Sequence, residues 1–306
     1  MGSRYTPTTT LAALALLAST YALETPVTAA KLQWQQPVRQ TTVALLTETE
    51  DAMQSAHAMW PVAVAMNDML DGVGGDSVIA ALPFATGAEC RTFGLRRYVR
   101  AGAAWELGSA ASVGGCRDAA EALCARTGFR DIALRCAELS VDVERRDGGV
   151  SLAGFPCEGA SLDAGPVADL AAALKLPAAA VVFAGKTETG SLVVECADAD
   201  ALRTAARPSD LRGAKRWLLT AAESDDAFAS RAFLDDASDD GLTPAACALA
   251  LFWAARRERP LDRPAALAHD GAALSLLLVP PKAPKFGGRK RKHVSRLPSV
   301  TVTLTH

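Results

Sequence analysis

The sequence predicts an α+β protein with two domains, in which mixed strands surround two apolar helices. Short segments with the alternation of a β-strand recur along the chain, and the closing segment V-T-V-T-L at 300–304 is the clearest. Two alanine-rich segments, 116–128 and 245–255, are typical of helices and begin roughly 130 residues apart. With 306 residues and 50% hydrophobic content, the chain is also long enough to bury a large core.

The second of these segments predicts a helix of unusual character. Residues 245–255 include no charged side chain on any face, which indicates a helix that is buried all round. Thr243 can cap this helix through its hydroxyl, and Pro244 falls in the first turn, where a missing N–H costs nothing. A short helix buried on every side needs a sheet around it. Its N-terminus, which follows an acidic segment ending in Asp240, would then open toward the mouth of that sheet.

The remaining elements follow from turns and periodicity. The first apolar helix is expected to follow a glycine turn at 108–115, to begin at Cys116 and to end at Gly128. Period-2 alternation around Asp-Gly-Gly predicts a hairpin over 138–156. Further helices are predicted at 50–70 (interrupted by Pro61), 166–176 and 199–206. Further strands are predicted at 179–184, 192–195, 217–221, 228–233 and 272–279.

Composition and spacing exclude several classes of function. The formal net charge of −2 gives no bulk attraction to nucleic acid, and the basic residues within 282–296 are interpreted as a solvated hairpin loop. The seven cysteines are scattered and form no C-x-x-C pair, which argues against a zinc ribbon or a thioredoxin-type site. The four histidines show no ligand spacing, and no glycine-rich segment opens a helix as a dinucleotide loop does. We therefore expect neither a metal nor a cofactor.

The first 29 residues have the composition of an added segment. They contain an apolar run at 11–18 followed by small residues that suit signal-peptidase cleavage. A secretory signal, an organelle transit peptide and a disordered tail all fit this pattern. The run is shorter than the roughly 20 residues needed to span a bilayer, so no membrane contact is expected of the mature protein.

Beyond these patterns, the region around the second helix resembles the phenazine-biosynthesis isomerase (PhzF-like) family. In that family a strand ending S-R-F-F-A-P leads through E-D-P-V-T-G-S-A-H-C into a buried helix ending Y-W-A. The residues of this chain that match are Ser230, Arg231 and Phe233 in the strand, Asp240 and Thr243 in the turn, and Cys247, Trp253 and Ala254 in the helix. The hairpin at 138–156 and the strands after it also fall in family order. The match is good over 131–257 and weak over 31–130.

This resemblance implies a diaminopimelate epimerase-like architecture. It consists of two pseudo-symmetric barrel-like α/β domains, each wrapped around a buried central helix, with the active site in the cleft between them. The expected division is an extension at 1–29, a first domain at 30–156 and a second at 157–306. The resemblance further implies a cofactor-free isomerase for a small carboxylated metabolite, a cytoplasmic location unless residues 1–29 redirect the chain, and a homodimer.

The expected site combines backbone groups with one acid. A helix N-terminus carries free N–H groups and a partial positive charge, so two of them facing one cleft would bind a small carboxylate. Gly114, Gly115 and the N–H groups near Thr243 are the expected anion cradle. Asp240, which keeps the register of the family's aspartate, is the expected acid–base residue.

Other catalytic positions of the family are not matched. The family's glutamate aligns with W-P-V-A-V-A at 60–65, which has no acid, its histidine falls near Cys116 or Arg117, and its serine falls on Pro244 or Ala245. A first alternative is therefore a catalytically inactive member that keeps the fold for binding or assembly. A second is that the weak match over 31–130 reflects a gene model with a shifted exon or reading frame.

The cysteines offer another catalytic alternative. Related epimerases and racemases of this fold place one cysteine at the N-terminus of each central helix. Here Cys116 is expected to open the first helix, and Cys247 lies about one turn into the second. A helix N-terminus lowers the pKa of a cysteine, which suits a two-base racemisation. The competing interpretation is that both cysteines are small core residues.

Overall fold

A computed structural model describes residues 31–39, 41–47, 70, 75–84, 89–108, 112–136, 139–161, 167–211, 213–234, 241–258, 263–270, 272–280 and 298–305. Within these ranges the chain forms sixteen strands that belong to one mixed sheet. The strands are β1 Lys31–Val38, β2 Thr41–Thr47, β3 Ser77–Pro83, β4 Thr92–Ala101, β5 Ala104–Gly108, β6 Asp131–Cys136, β7 Leu139–Arg146, β8 Gly149–Pro156, β9 Ala160–Ser161, β10 Val181–Thr187, β11 Ser191–Cys196, β12 Arg216–Ala222, β13 Ala227–Leu234, β14 Ala265–His269, β15 Ala272–Val279 and β16 Ser299–Thr305.

Helices are fewer than strands in the described part of the chain. Helix α1 is Val113–Thr127, α2 is Val167–Ala173 and α3 is Ala199–Thr204. Helix α4 is continuous through three segments, an α-turn Leu242–Pro244, a π-helical segment Ala245–Leu249 and a final α-helical segment Ala250–Arg256. None of the helices in the described ranges is long and apolar enough to cross a membrane. This mixed sheet with few helices confirms the predicted α+β class.

The same order of strand pairing occurs in both halves of the sheet. From β1 through β2, β3, β4, β6 and β7 to β8, successive pairs are antiparallel, parallel, antiparallel, parallel, antiparallel and antiparallel. From β10 through β11, β12, β13, β14 and β15 to β16, the pairs follow the same sequence. The halves meet where β8 and β16 pair antiparallel, with Leu152 opposite Val302.

Helices α1 and α4 occupy equivalent places in this repeated order. Parallel neighbours need a crossover connection, because the chain must return to the same end of the sheet. Helix α1 lies in the crossover from β4 to β6, and α4 lies in the crossover from β13 to β14. Both helices contribute to the largest apolar core, which includes Val113 and Leu123 of α1 and Ala246 and Leu249 of α4.

The burial of α4 follows from its small side chains. Ala245, Ala246, Ala248 and Leu249 are fully buried, and alanine lets the helix axis approach the surrounding strands closely. Toward the C-terminus, Trp253 fills the space against β12 and β13. The prediction of a helix buried all round is thus confirmed for most of 245–254.

Two aromatic contacts and one polar contact fix this end of the helix. The ring of Trp253 stacks on Phe228 with centroids 5.5 Å apart and meets Phe252 edge-on at 5.3 Å. Its Nε1–H donates to Thr220 Oγ1 at 2.9 Å, and Thr220 Oγ1 in turn donates to the carbonyl of Ala229 at 2.8 Å. Every polar side-chain atom of this pair therefore has a partner although both residues are buried.

A second core lies on the other face of β11 and β12. Alternation along β11 sends Val193 to the helix-containing core and Val194 to the second core. Helices α2 and α3 cover this second core through Leu170 and Leu202. The sheet is therefore covered on both faces in this half.

The predicted elements and the observed ones agree best in the second half. The strand at 272–279 has the predicted bounds, and those at 217–221, 228–233 and 300–304 are each one residue longer at both ends. The hairpin at 138–156 is present as β7 and β8. The strands that were not predicted are β1, β2, β3, β4, β5, β6, β9 and β14. The segments at 1–29, at 50–69 and at 282–296, as well as Asp240, lie outside the described residues.

Candidate functional site

The N-terminus of α1 is built by Ser112. The backbone of Ser112 is extended, its Oγ accepts the N–H of Gly115 at 3.0 Å, and its carbonyl accepts the N–H of Cys116 at 2.9 Å. This is an N-cap interaction, so α1 begins at Val113. The predicted start at Cys116 and the predicted glycine turn were wrong, because the two glycines form the first helical turn. Gly128 ends the helix in the left-handed conformation, as predicted.

The N-terminus of α4 is built differently. Gly241 is the N-cap residue, with a positive φ of 68°, and its carbonyl accepts the N–H of Ala245 at 3.0 Å. The expectation that Thr243 caps its own helix was wrong, since the helix starts before it at Leu242. Pro244 lies in the first turn, as predicted.

The hydroxyl of Thr243 instead links the two helices. The N–H of Val113, the first residue of α1, donates to Thr243 Oγ1 at 2.7 Å. The first turns of α1 and α4 are therefore in direct contact. The next two residues of this turn, Gly114 and Gly115, are also buried.

This contact brings together three of the expected site residues, Gly114, Gly115 and Thr243. Two N–H groups in this part of the expected anion cradle already have acceptors within the chain. The Val113 N–H bonds to Thr243 and the Gly115 N–H bonds to Ser112. Two donors of the expected cradle are thus engaged by hydroxyls of the chain and become available only if these hydroxyls turn away.

Cys116 lies one turn inside α1 and faces the sheet. Its side chain is 0% exposed, and its Sγ lies 3.9 Å from Sγ of Cys136 on β6. The contact with Cys136, together with burial, raises the pKa of Cys116 well above its ordinary value of 9.0. The thiol is therefore protonated at neutral pH, and the effect of the helix N-terminus does not prevail.

Cys247 lies in the π-helical segment of α4 and is 3% exposed. Its carbonyl accepts the N–H of Glu158 at 3.0 Å. Burial raises the pKa of Cys247 far above 9.0, and the nearby Glu158 and Cys157 raise it further. The environments of Cys116 and Cys247 favour the interpretation of both as core residues over the two-thiolate alternative.

The first acidic residue of α1 is Asp118. It is buried, and its Oδ1 lies 2.6 Å from a guanidinium nitrogen of Arg39 and 3.3 Å from Nε of Arg117. Burial raises the pKa of Asp118, and the two guanidinium groups oppose that shift. Arg39 also bonds Glu121 at 2.9 Å, so it ties the β1–β2 turn to α1. We interpret this cluster as structural. Asp240 directly precedes the N-cap Gly241 in the sequence but is not among the described residues.

A buried Ser–His pair beside α4 was missed in the sequence. Ser230 Oγ and His269 Nδ1 are 2.7 Å apart, and the two residues lie opposite each other in the parallel strands β13 and β14. The edge of the His269 ring faces Gly241, since a Cβ at Gly241 would lie 3.1 Å from Nε2. The alternation of 265–269 could have placed His269 on the inner face with Leu267, but the separation of 39 residues hid the pairing with Ser230.

Among the described residues, no group of three or more histidine, cysteine, aspartate or glutamate side chains is arranged to hold a metal ion. The titratable groups described around α1 and α4 are instead the buried thiols (Cys116 beside Cys136, and Cys247), the ion-paired acid cluster and the Ser–His pair.

Comparison with solved structures defines the fold. A PhzF-family phenazine biosynthesis protein from Enterococcus faecalis has a TM-score of 0.56 and 12% identity, over 87% of this chain and 89% of that chain. A PhzF-family protein from Bacillus anthracis has a TM-score of 0.54 and 11% identity, over 90% and 94%. A predicted epimerase from Pseudomonas aeruginosa has a TM-score of 0.51 and 18% identity, over 89% and 94%. The chain therefore has the PhzF-like fold, as the sequence motifs indicated.

Sequence comparison adds no closer assignment. No protein-family model matches the chain, and no curated protein matches it. At 11–18% identity the structural likeness establishes the fold alone. Function has to be argued from the site.

Proposed function

We propose that the chain is a PhzF-like isomerase or epimerase, which moves a proton on a small carboxylated metabolite by cofactor-free acid–base chemistry. The observation that carries this proposal is the 2.7 Å contact between Val113 of α1 and Thr243 of α4. It places the positive ends of two buried helices side by side in a fold shared with PhzF-family proteins.

The proposed architecture is that of two pseudo-symmetric domains, 30–156 and 157–306, each wrapped around a central helix. The recurring order of strand pairing and the equivalent places of α1 and α4 support this division. The substrate carboxylate would lie at the junction of the helices, near Gly114, Gly115 and Thr243. Two hydroxyls, on Ser112 and Thr243, now accept the first-turn N–H groups and would be displaced or shared when an anion binds.

Asp240 is the proposed acid–base residue. It immediately precedes Gly241, the N-cap of α4, so it is within one residue of the proposed anion site in the sequence. Its carboxylate would take a proton from a carbon near the bound carboxylate and return that proton to another carbon or to the other face. The helix N-termini would stabilise the negative charge that develops while the proton is on Asp240.

Incorporation of deuterium from solvent tests this proposal. The full-length protein is incubated in D2O with a panel of small amino, hydroxy and dihydroaromatic acids, and the exchange is followed by mass spectrometry. We expect one class of acid to take up deuterium, and we expect Asp240→Asn to abolish the uptake. The matched control is Asp239→Asn, which removes the neighbouring carboxylate and should leave the uptake in place. Uptake that survives Asp240→Asn but is lost in Cys116→Ser would favour the cysteine mechanism.

A catalytically inactive member is the second candidate function. The specific observation in its favour is that hydroxyls of the chain itself already accept the N–H groups of Val113 and Gly115. The protonated state of Cys116 and Cys247 removes the other acid–base candidates. No deuterium uptake from any member of the panel, by a protein with a cooperative unfolding transition, would select this alternative.

A further inference from the structure

The Ser230–His269 pair is held in place from several directions. Its 2.7 Å hydrogen bond joins residues that are 4% and 1% exposed. The Asp270 N–H donates to the carbonyl of Ser230 at 3.2 Å, and Asp270 Oδ2 accepts the N–H of Ala232 at 3.2 Å. Both bonds are made by Asp270, and they fasten the C-terminal end of β14 to β13 directly after the pair. The imidazole of His269 therefore has one orientation in the structure.

The opposite edge of the His269 imidazole lies against Gly241. A Cβ at Gly241 would lie 3.1 Å from His269 Nε2, 3.6 Å from its Cε1 and 2.8 Å from the Cβ of Ala232. No real Cβ fits at the last of these distances, so Gly241 is seated directly on the ring and on Ala232. The position of the His269 ring thus determines where Gly241, the N-cap residue of α4, lies relative to β13 and β14.

Contacts continue from Gly241 to the other helix. The Gly241 carbonyl accepts the first hydrogen bond of α4, from Ala245, and Thr243 Oγ1 two residues later accepts the N–H of Val113. A chain of direct contacts therefore leads from Ser230 through His269, Gly241 and Thr243 to the N-terminus of α1. Displacement of the ring would change the spacing between the two helix N-termini.

Packing alone does not account for histidine at this place. A leucine has a similar volume and no polar atoms, and burial of ring nitrogens has a desolvation cost that leucine avoids. Here Nδ1 is matched by Ser230, while Nε2 lies 3.7 Å from Asp270 Oδ2 and faces the position that a Cβ at Gly241 would take. This arrangement is typical of a side chain that orients its neighbour.

We propose that His269, held by Ser230, is a positioning residue that sets the separation of the N-termini of α1 and α4. This proposal deepens the proposed function, since those N-termini form the anion cradle there. His269 acts through Gly241 and Thr243, and does not itself contact the substrate. The polar edge of the ring is the part that matters for this role.

Amide hydrogen exchange tests the proposal without a substrate. In His269→Leu, which keeps the volume and loses both nitrogens, we expect the Val113 amide to exchange about tenfold faster relative to the Val143 amide of β7. In His269→Gln, whose side-chain amide can approach Gly241 as Nε2 does, we expect most of this protection to return. The matched control is Leu267→Ala, a buried deletion on the same face of β14 that does not touch the ring contact with Gly241.

Two results would overturn the inference. One is a Val113 amide that exchanges at the wild-type rate in His269→Leu. The other is an equal gain in exchange at Val113 in Leu267→Ala, which would show a general loosening of β14. Amide exchange at Val113 is measured without catalytic turnover. Its result therefore does not depend on the outcome of the deuterium-uptake test of the proposed function. With a substrate in hand, positioning predicts a raised KM in His269→Leu, whereas a fall in kcat at constant KM would contradict it.

Discussion

Thr243 accepts through its Oγ1 the N–H of Val113, 130 residues earlier in the chain, at an N···O distance of 2.7 Å. The bond joins the first turn of one buried helix to the first turn of the other. At a helix N-terminus the first N–H groups have no partner within the helix, so a neighbouring hydroxyl is a natural acceptor. In the proposed function the substrate carboxylate lies at this same place, so the Thr243 hydroxyl would contribute to stability and would also have to give way to the ligand.

Removal of this hydroxyl should be costly. We expect Thr243→Val to lower the free energy of unfolding by about 1–3 kcal/mol, because the half-buried Val113 N–H loses its acceptor. Thr243→Ser keeps the hydroxyl and should lose much less. Urea unfolding of the three proteins measures the difference. Equal stability of the valine and serine variants would show that the hydrogen bond contributes nothing.

Gly241 should tolerate no side chain. Its φ of 68° disfavours an L-residue by about 1–2 kcal/mol, and a Cβ would also lie 2.8 Å from the Cβ of Ala232. Gly102 has a similar φ of 65°, but a Cβ at Gly102 would meet no atom within 4 Å, so Gly102→Ala isolates the backbone contribution. We expect Gly241→Ala to be the more destabilising by about 1–3 kcal/mol in thermal or urea unfolding. Similar losses in the two variants would remove the steric argument.

Much of the second half, and the hairpin that ends the first half, could be predicted from the sequence because these elements have strong local patterns. The charge-free segment 245–255 indicated a buried helix, and V-T-V-T-L at 300–304 indicated a strand. The Asp-Gly-Gly turn located the hairpin formed by β7 and β8. In each case the side chains of one segment carry the information, so no distant partner had to be known.

Contacts between distant segments could not be predicted in this way. The start of α1 was misplaced because Gly114 and Gly115 have low helix propensity, and this turn is held in part by a hydrogen bond to Thr243, 130 residues away. Thr243 was assigned to its own helix because sequence patterns reveal local caps and not acceptors for a helix far along the chain. The pairing of Ser230 with His269 likewise depends on the register of two parallel strands.

The Trp253–Thr220 hydrogen bond should contribute measurably to the core. Thr220→Val keeps the shape of the side chain but leaves the buried Nε1–H of Trp253 without its acceptor, 2.9 Å away in the native protein. We expect a loss of about 1–3 kcal/mol in the free energy of unfolding. Thr220→Ser is the control that preserves the acceptor. A loss below about 0.5 kcal/mol in Thr220→Val would mean that the indole N–H finds another partner.

The buried thiols should make stability depend on alkaline pH. Burial, with the nearby Asp198 and Glu195, raises the pKa of Cys196 from 9.0 to about 11, and burial raises that of Cys124 to about 11 as well. In the unfolded chain these thiols lose their protons near pH 9, whereas the folded protein keeps them until about pH 11. The folded state therefore binds more protons within this window, and stability falls as the pH rises through it.

Each such thiol adds up to about 1.4 kcal/mol per pH unit to this slope between about pH 9 and 11. We expect Cys196→Ala to reduce the slope by that amount when urea unfolding is measured across the window. Leu202→Ala removes apolar volume from the same core and should lower stability equally at every pH, since no titrating group is lost. If the curves of Cys196→Ala and the wild type run parallel, the thiol of Cys196 titrates alike in the folded and unfolded states. Burial raises the pKa of Cys247 further than that of Cys196. For this reason a thiolate at α4 is not available near neutral pH.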